Sequence, residues 1–205
     1  MQKTDNIKLI LLGESQAGKS SLVLQFVKEQ NKDFQESTIG YALFAKSIIL
    51  NERVVKFEIW NCAGHERYKS STRMYYKGAK AALVVYDIAR KDTFERAKSW
   101  VKELRGAASP EIVIALAGNY PDSNSNRTVA HEEAHAYAEE NGIVFKETSD
   151  DNGINVDELF LEIAQKVLLK SDASKSTDTN TNDGKRSRAE HNDLQEENKN
   201  CCYLL

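Results

Sequence analysis

The sequence predicts an α/β fold: a six-stranded, mostly parallel sheet with one antiparallel edge strand and helices on both faces. Three observations predict it. Apolar runs of strand length recur along the chain, amphipathic helical patterns separate most of them, and one adjacent pair of runs is joined too tightly for a helix. In such sheets ligands bind beyond the carboxyl ends of the strands, so the strand-to-helix loops are the places to search.

Taken in order, the strands are expected at 7–12 (IKLILL), 47–50 (SIIL), 54–60, 81–86 (AALVVY), 112–117 (IVIALA) and 143–145 (IVF). Helical patterns fall at 20–29, 93–104, 131–141 and 156–168; in the last, Val156, Leu159, Phe160, Ile163 and Val167 recur at helical spacing. The exception is the pair 45–50 and 54–60, joined by Asn51-Glu52-Arg53, which reads as an antiparallel hairpin.

The 205 residues suffice for one domain, placed at 1–170, followed by a polar tail at 171–205. Residues 171–200 carry almost no apolar side chain and read as a flexible tether, since they cannot bury enough surface to order themselves. A net charge of −3 disfavours nucleic acid as a partner. The apolar run near the start breaks at glycine, too short for a signal peptide or a membrane span. Of three cysteines, Cys62 lies inside the domain and Cys201-Cys202 lie in the tail, so no disulfide framework is expected and a reducing cytosol is.

The segment "LILLGESQAGKSSLVLQF" fits G-x-x-x-x-G-K-[ST] with Gly13, Gly18, Lys19 and Ser20, between a strand and a helix. That context makes it a P-loop, and the fold a P-loop NTPase, rather than a glycine turn that happens to end in Lys-Ser. Backbone N–H groups of the loop and helix N-terminus point at anionic oxygens. Lys19 reaches the outer phosphates, and the Ser20 hydroxyl is placed to ligate Mg²⁺. Thr38, in "ESTIG", lies about where a second Mg²⁺ hydroxyl is needed. Asn119 and Asp122 end the fifth strand in "ALAGNYPD", and "KETSDD" ends the sixth. One strand-helix unit apart, these two segments form a base-recognition candidate.

The order of these segments resembles the Ras superfamily of small GTPases and, within it, the Rab branch. "FQESTIG", "VKFEIW", "AGHERY", "MYYKGA", "AALVVYDI", "WVKEL" and "IVIALAGN" resemble the Rab proteins of early endosomes, over residues 7–169, and the likeness resumes at "NKNCC". The resemblance implies a GTP/GDP site formed by Ser15, Gly18, Lys19, Ser20, Ser21, Thr38, Gly64, Asn119, Asp122, Ser149 and Asp150, with Mg²⁺ on Ser20 and Thr38. It also implies that Asp122 binds guanine N1 and N2, that Asn119 braces the loop, and that Thr38 and Gly64 sense the γ-phosphate from two switch segments.

The departures from that pattern matter as much. Where the family has D-T-A-G-Q, this chain has Asn61-Cys62-Ala63-Gly64-His65. Asn61 accepts a hydrogen bond but brings no charge, so metal binding is expected to weaken roughly 10–100-fold. His65, at the catalytic position, is a poor geometric substitute for the water-orienting glutamine, although a neutral imidazole is chemically able to act as a base. Its other reading is an exposed loop histidine without a chemical role. Tyr120 replaces the lysine that lies along the base. Asp150 and Asp151 replace an alanine and a lysine, so a carboxylate stands beside the guanine carbonyl. Together these losses weaken binding by very roughly 10²–10³-fold. Gln16 is bulkier than the small residue usual in the loop.

On the partner face Trp60 and Tyr75 remain, but Leu43 stands at a usual phenylalanine with Phe44 beside it, and Ser71-Thr72-Arg73 replaces an apolar run. The family's usual effectors are therefore in doubt. The alternative for Trp60 and Tyr75 is ordinary sheet-edge packing.

"CCYLL" fits C-a-a-X on Cys202-Tyr203-Leu204-Leu205, with a terminal leucine that favours geranylgeranyl, and with Cys201 resembles the paired cysteines of Rab tails. Two lipids give stable anchoring where one does not. The basic cluster Lys185-Arg186 with Arg188 is offset by nearby acids. By resemblance the partners are guanine nucleotide, the prenylation, Rab escort and GDP-dissociation-inhibitor machinery, and effectors and exchange factors of unspecified identity. The place is the cytoplasmic face of endosomal or other intracellular membranes, with a cytosolic pool.

Two readings stay open: a prenylated Rab-type switch in vesicle trafficking with impaired GTP hydrolysis, and a non-enzymatic prenylated scaffold or decoy that binds nucleotide weakly or not at all. The loop, Thr38 and Asp122 favour the first; Asn61, His65, Tyr120 and Asp150 favour the second. A small P-loop kinase fits less well, because the chain has no arginine-rich lid and such a kinase has no use for Asn119 and Asp122.

Overall fold

A computed structural model describes residues 4–27, 41–64, 72–120 and 126–178. Six strands form one sheet: β1 (Thr4–Gly13), β2 (Tyr41–Leu50), β3 (Arg53–Cys62), β4 (Ala81–Asp87), β5 (Val113–Asn119) and β6 (Val144–Thr148). The described residues also contain four α-helices: α1 (Lys19–Val27), α2 (Lys91–Ala107), α3 (His131–Glu140) and α4 (Val156–Asp178). A short 3-10 turn, Arg73–Tyr76, precedes β4.

The sheet order is β2-β3-β1-β4-β5-β6, antiparallel between β2 and β3 and parallel elsewhere. The expected architecture is therefore the one observed. The strand order reverses at β1, which pairs with β3 on one side and β4 on the other. A crevice at the carboxyl end of β1 follows from that reversal.

β1 is apolar without a break because both its faces are covered. Leu9 and Leu11 point into one core with Phe26, Phe57 and Phe160; Ile10 and Leu12 point into the other with Tyr86, Phe94 and Trp100. The period-two alternation of a strand divides one run between two cores. In the first core Phe26 stacks on Phe160 at 3.7 Å between ring centroids, and Phe57 meets Phe160 edge-on at 5.7 Å. These rings fasten α1 and α4 to the sheet.

Two details differ from the sequence reading. The hairpin turn is shorter, since Leu50 pairs with Arg53 and only Asn51 and Glu52 remain outside the ladder, both at positive φ (48° and 60°). Such a two-residue turn matches the twist of the strands it joins. In addition, α4 does not stop near 169 but runs to Asp178, through residues read as tether. Arg53 anchors this extension, binding Asp172 at 2.7 Å and Asp5 at 2.7 Å.

Candidate functional site

The site is built where β1 ends. Gly13 has φ +141°, and a Cβ there would fall on the Val85 carbonyl of β4, so only glycine lets the chain leave the sheet this closely. The loop then closes with Ala17 N–H donating to the Glu14 carbonyl at 3.3 Å. Gln16 takes a left-handed conformation (φ 63°) and is exposed, so its bulk points to solvent and not into the loop. The Leu22 N–H donates to the Gly18 carbonyl at 2.9 Å and starts α1. The N–H groups of the first helical turn lack partners within the helix, the arrangement that suits an anion.

Lys19 is 7% exposed, and its Nζ donates to the Glu14 carbonyl at 2.7 Å. Burial lowers its pKa to about 8, against the opposing pull of Glu14 and Cys62. A desolvated ammonium held by a neutral carbonyl is poised to meet an anion. Ser20, next along, accepts a 2.8 Å hydrogen bond from Asn61 Nδ2. Asn61 comes from β3, where it pairs with Leu11 of β1, so sheet register brings the two positions together. Gly64 lies against the loop: a Cβ there would come within 2.6 Å of the Glu14 carbonyl carbon and the Gly13 oxygen.

The other wall comes from β5 and β6. Asn119, 1% exposed, presses on Gly18 so closely that a Cβ on that glycine (φ +85°) would fall on Asn119 Nδ2. Asp150 Oδ2 lies 3.1 Å from the same point. The Asp150 carboxylate receives side-chain hydrogen bonds from Asn119 and Ser21, yet its pKa is raised, because burial outweighs them and Asp151 adds repulsion. Ser149 is buried, and its N–H donates to the Ile154 carbonyl at 3.1 Å. Asn119 Oδ1, Thr148 Oγ1 and Asp150 Oδ1 are all buried with no hydrogen-bond partner among the described residues. Such atoms are ones that a bound polar group or a water would complete. Tyr120 packs partly against the second core.

The structure thus gathers Ser15, Gly18, Lys19, Ser20, Ser21, Gly64, Asn119, Ser149 and Asp150 around the carboxyl ends of β1, β5 and β6. His65, Thr38, Asp122, Cys201 and Cys202 lie outside the described residues. Sequence reasoning missed the bridge from Asp150 to Ser21 and also missed Tyr41. The Tyr41 ring lies 5.2 Å from Trp60 and 5.2 Å from Tyr75, which are 5.4 Å apart, so the edge carries a three-ring cluster. Leu43 pairs with Trp60 and is exposed, whereas Phe44 turns toward the first core.

Strand order, P-loop and buried polar wall together define a nucleotide-handling α/β protein of the P-loop kind. The Ras family profile matches residues 8–169, and the chain belongs to the Ras family of small GTPases, in its Rab branch. It is 57% identical over 165 residues to Ras-related protein Rab-5A of Dictyostelium discoideum, a match covering 80% of this chain and 82% of that protein. No helix among the described residues is long and apolar enough to cross a membrane.

The site fits guanine nucleotide and Mg²⁺ unequally. The anion cradle, buried Lys19 and partnerless wall atoms suit a nucleotide. The cation side offers the Ser20 hydroxyl, which already accepts from an uncharged amide.

Proposed function

We propose that the chain is a membrane-anchored Rab switch of the endosomal type that binds GTP and GDP with Mg²⁺ but hydrolyses GTP slowly or not at all. The observation that carries this is the Asn61–Ser20 hydrogen bond. A carboxylate at Asn61 would accept the Ser20 proton and leave the hydroxyl lone pairs for the metal. The amide instead donates to Ser20 and takes up one lone pair. Turning the amide over restores acceptance, but no negative charge.

In this reading the first-turn N–H groups of α1 and Lys19 hold the phosphates, Gly64 meets the terminal phosphate, and Ser20 with Thr38 holds the cation. Mg²⁺, when bound, neutralises charge developing on the phosphates. Asn119 braces the loop through Gly18, and Asp122 with Ser149 and Asp150 faces the base. His65 stands where water is oriented and lacks the carboxamide reach of glutamine. Residues 1–170 form the nucleotide-binding domain, and 171–205 the tail, with α4 continuing into it. Cys201 and Cys202 carry geranylgeranyl groups that place the protein on endosomal membranes, with a cytosolic pool in complex with the escort and GDP-dissociation-inhibitor machinery.

A second reading, a tethered scaffold with little or no nucleotide, is favoured by one observation: the Asp150 carboxylate sits on Gly18. Single-turnover hydrolysis of preloaded GTP tests the first reading. The native chain should leave GTP intact, and the pair Asn61→Asp with His65→Gln should speed turnover by about 10–100-fold. Native turnover as fast as that of the pair would overturn the proposal.

A further inference from the structure

A groove lies at the amino-terminal end of the sheet, away from the nucleotide site. β5 and β6 start there, α2 ends there, and α4 borders it from Lys166 to Ser174. Its deeper part is a cavity of about 500 Å³ floored by Ile112, Ile114 and Val144, with Leu169 of α4 standing 71% exposed on the wall. A shallower part continues beside Ala79 and Lys80, and Ile112 and Lys170 line both.

The rim is cationic. Arg105 donates to the Asn141 carbonyl and Lys170 to the Glu111 carbonyl at 3.3 Å, so neutral acceptors hold both, and neither has a carboxylate partner among the described residues. Lys166 lies 3.8 Å from Glu162, and Lys80 donates to the Asn6 carbonyl at 2.7 Å. Against these cations stand only Glu162 and, in the shallower part, Glu111. An apolar floor under a basic rim complements an acidic segment that carries an apolar side chain.

The chain carries such a segment within reach. Residues 190–197 read Glu-His-Asn-Asp-Leu-Gln-Glu-Glu, with Glu190, Asp193, Glu196 and Glu197 around Leu194. α4 ends at Asp178, about 12 Å along the helix from Lys170. A linker of the length from Asp178 to Leu194 has a root-mean-square span of about 20–24 Å. Such a linker presents its end at about millimolar effective concentration, so contacts too weak to hold a free peptide suffice. Pairing with Lys185, Arg186 and Arg188 of the linker would leave Leu194 uncovered; the groove supplies charge and floor together.

We propose that this groove is the docking site of the chain's own segment Glu190–Glu197, with Leu194 over Ile112 and the carboxylates on Arg105, Lys166 and Lys170. Cys201 follows Glu197 within four residues, so a docked segment draws the paired cysteines against this end of the sheet and shortens the tether. The docking goes beyond the switch reading and depends on neither nucleotide nor lipid.

The experiment uses the full chain without lipid, carrying nitroxide labels on Cys201 and Cys202; Cys62 is buried and escapes labelling. Broadening of methyl signals reports the surface that the segment visits. In the native chain the signals of Ile112, Ile114 and Leu169 should be lost, while Ile154, exposed at the opposite end of the sheet, keeps its signal. Lys166→Glu with Lys170→Glu should restore the groove signals, and adding Glu196→Lys with Glu197→Lys should remove them again. Salt at about 1 M, where charges are screened beyond about 3 Å, should also restore them. Melting of each variant checks that it folds.

Groove signals that survive in the native chain, or that are lost equally in the native and charge-reversed chains, would overturn the proposal. A charge swap that fails to remove them again would do the same. Loss seen when the nitroxide and the observed methyls sit on separate molecules would assign the groove to a second copy and overturn it. So would native groove signals that change only when phosphatidylserine vesicles are added, which would give the groove to an acidic membrane surface.

Discussion

The Asn61 amide donates a 2.8 Å hydrogen bond to the Ser20 hydroxyl, tying the end of β3 to the first turn of α1. Protein atoms thus occupy part of the coordination capacity that a cation would use. Asn61→Asp should reverse this and supply a negative charge. The Mg²⁺ concentration needed to retain bound nucleotide should fall about 10–100-fold. Nucleotide release followed during Mg²⁺ titration checks it, and an unchanged midpoint would mean that Asn61 is not what limits the cation.

Gly18 lets the loop approach Asn119 closely. At φ +85°, with Asn119 Nδ2 where a Cβ would go, alanine meets both backbone strain and a buried side chain. Gly18→Ala should cost about 1–3 kcal/mol of stability and abolish copurifying nucleotide. Urea unfolding and the nucleotide content of the variant measure the two effects separately.

Phe160 joins α4 to α1 and the sheet. It is fully buried, stacked on Phe26 and edge-on to Phe57. Phe160→Ala should destabilise by about 3–5 kcal/mol. A loss below about 1 kcal/mol would show that the neighbouring rings collapse into the space.

Cys62 is 2% exposed and its thiol is pushed up to about 11, mainly by burial, with Lys19 and Lys8 only partly offsetting it. Thiolate is the reactive form. In the native protein at neutral pH, Cys62 should stay unlabelled by iodoacetamide, and it should label readily in urea; mass spectrometry of its peptide distinguishes the two. Rapid native labelling would contradict the burial.

Asp150 also gives a pH signature. Its folded-state pKa lies above the ordinary 3.8, so ionisation costs the folded protein. That penalty is absent below the unfolded pKa, grows as pH rises toward the folded value, and is complete above it. Asp151 is the charged group acting on it, while the α1 and β5 sides contribute the neutral Ser21 and Asn119. Asp150→Asn should therefore be more stable than the native chain at neutral pH, and the gap should close toward pH 4. Denaturation midpoints across pH test the sign.

The fold was legible wherever burial imposes a pattern. β1 announced itself by an unbroken apolar run, α4 by Leu159, Phe160 and Ile163 at helical spacing, and the loop by Gly13, Gly18, Lys19 and Ser20 in the right surroundings. What stayed hidden depends on contacts between distant segments. The end of α4 is held by Arg53, 119 residues away from Asp172, and no local composition reveals that. Tyr41 becomes part of a ring cluster only when β2 lies beside β3 and the turn before β4 brings in Tyr75. Asp150 could be read as a misplaced charge, but its hold on Ser21 and Gly18 joins two loops far apart in sequence. Several of the expected site residues, among them Gly18, Lys19, Ser20, Asn119 and Asp150, lie together in the structure, but the way they are engaged with one another was not in the sequence.

In the proposed function the phosphate grip survives while hydrolysis is lost. This is tested most directly by purifying the full chain with Mg²⁺ present, denaturing it, and identifying the released nucleotide by chromatography. Guanine nucleotide close to one per chain, mostly as GTP, is the expected result. A stable, folded protein that releases no nucleotide would contradict it.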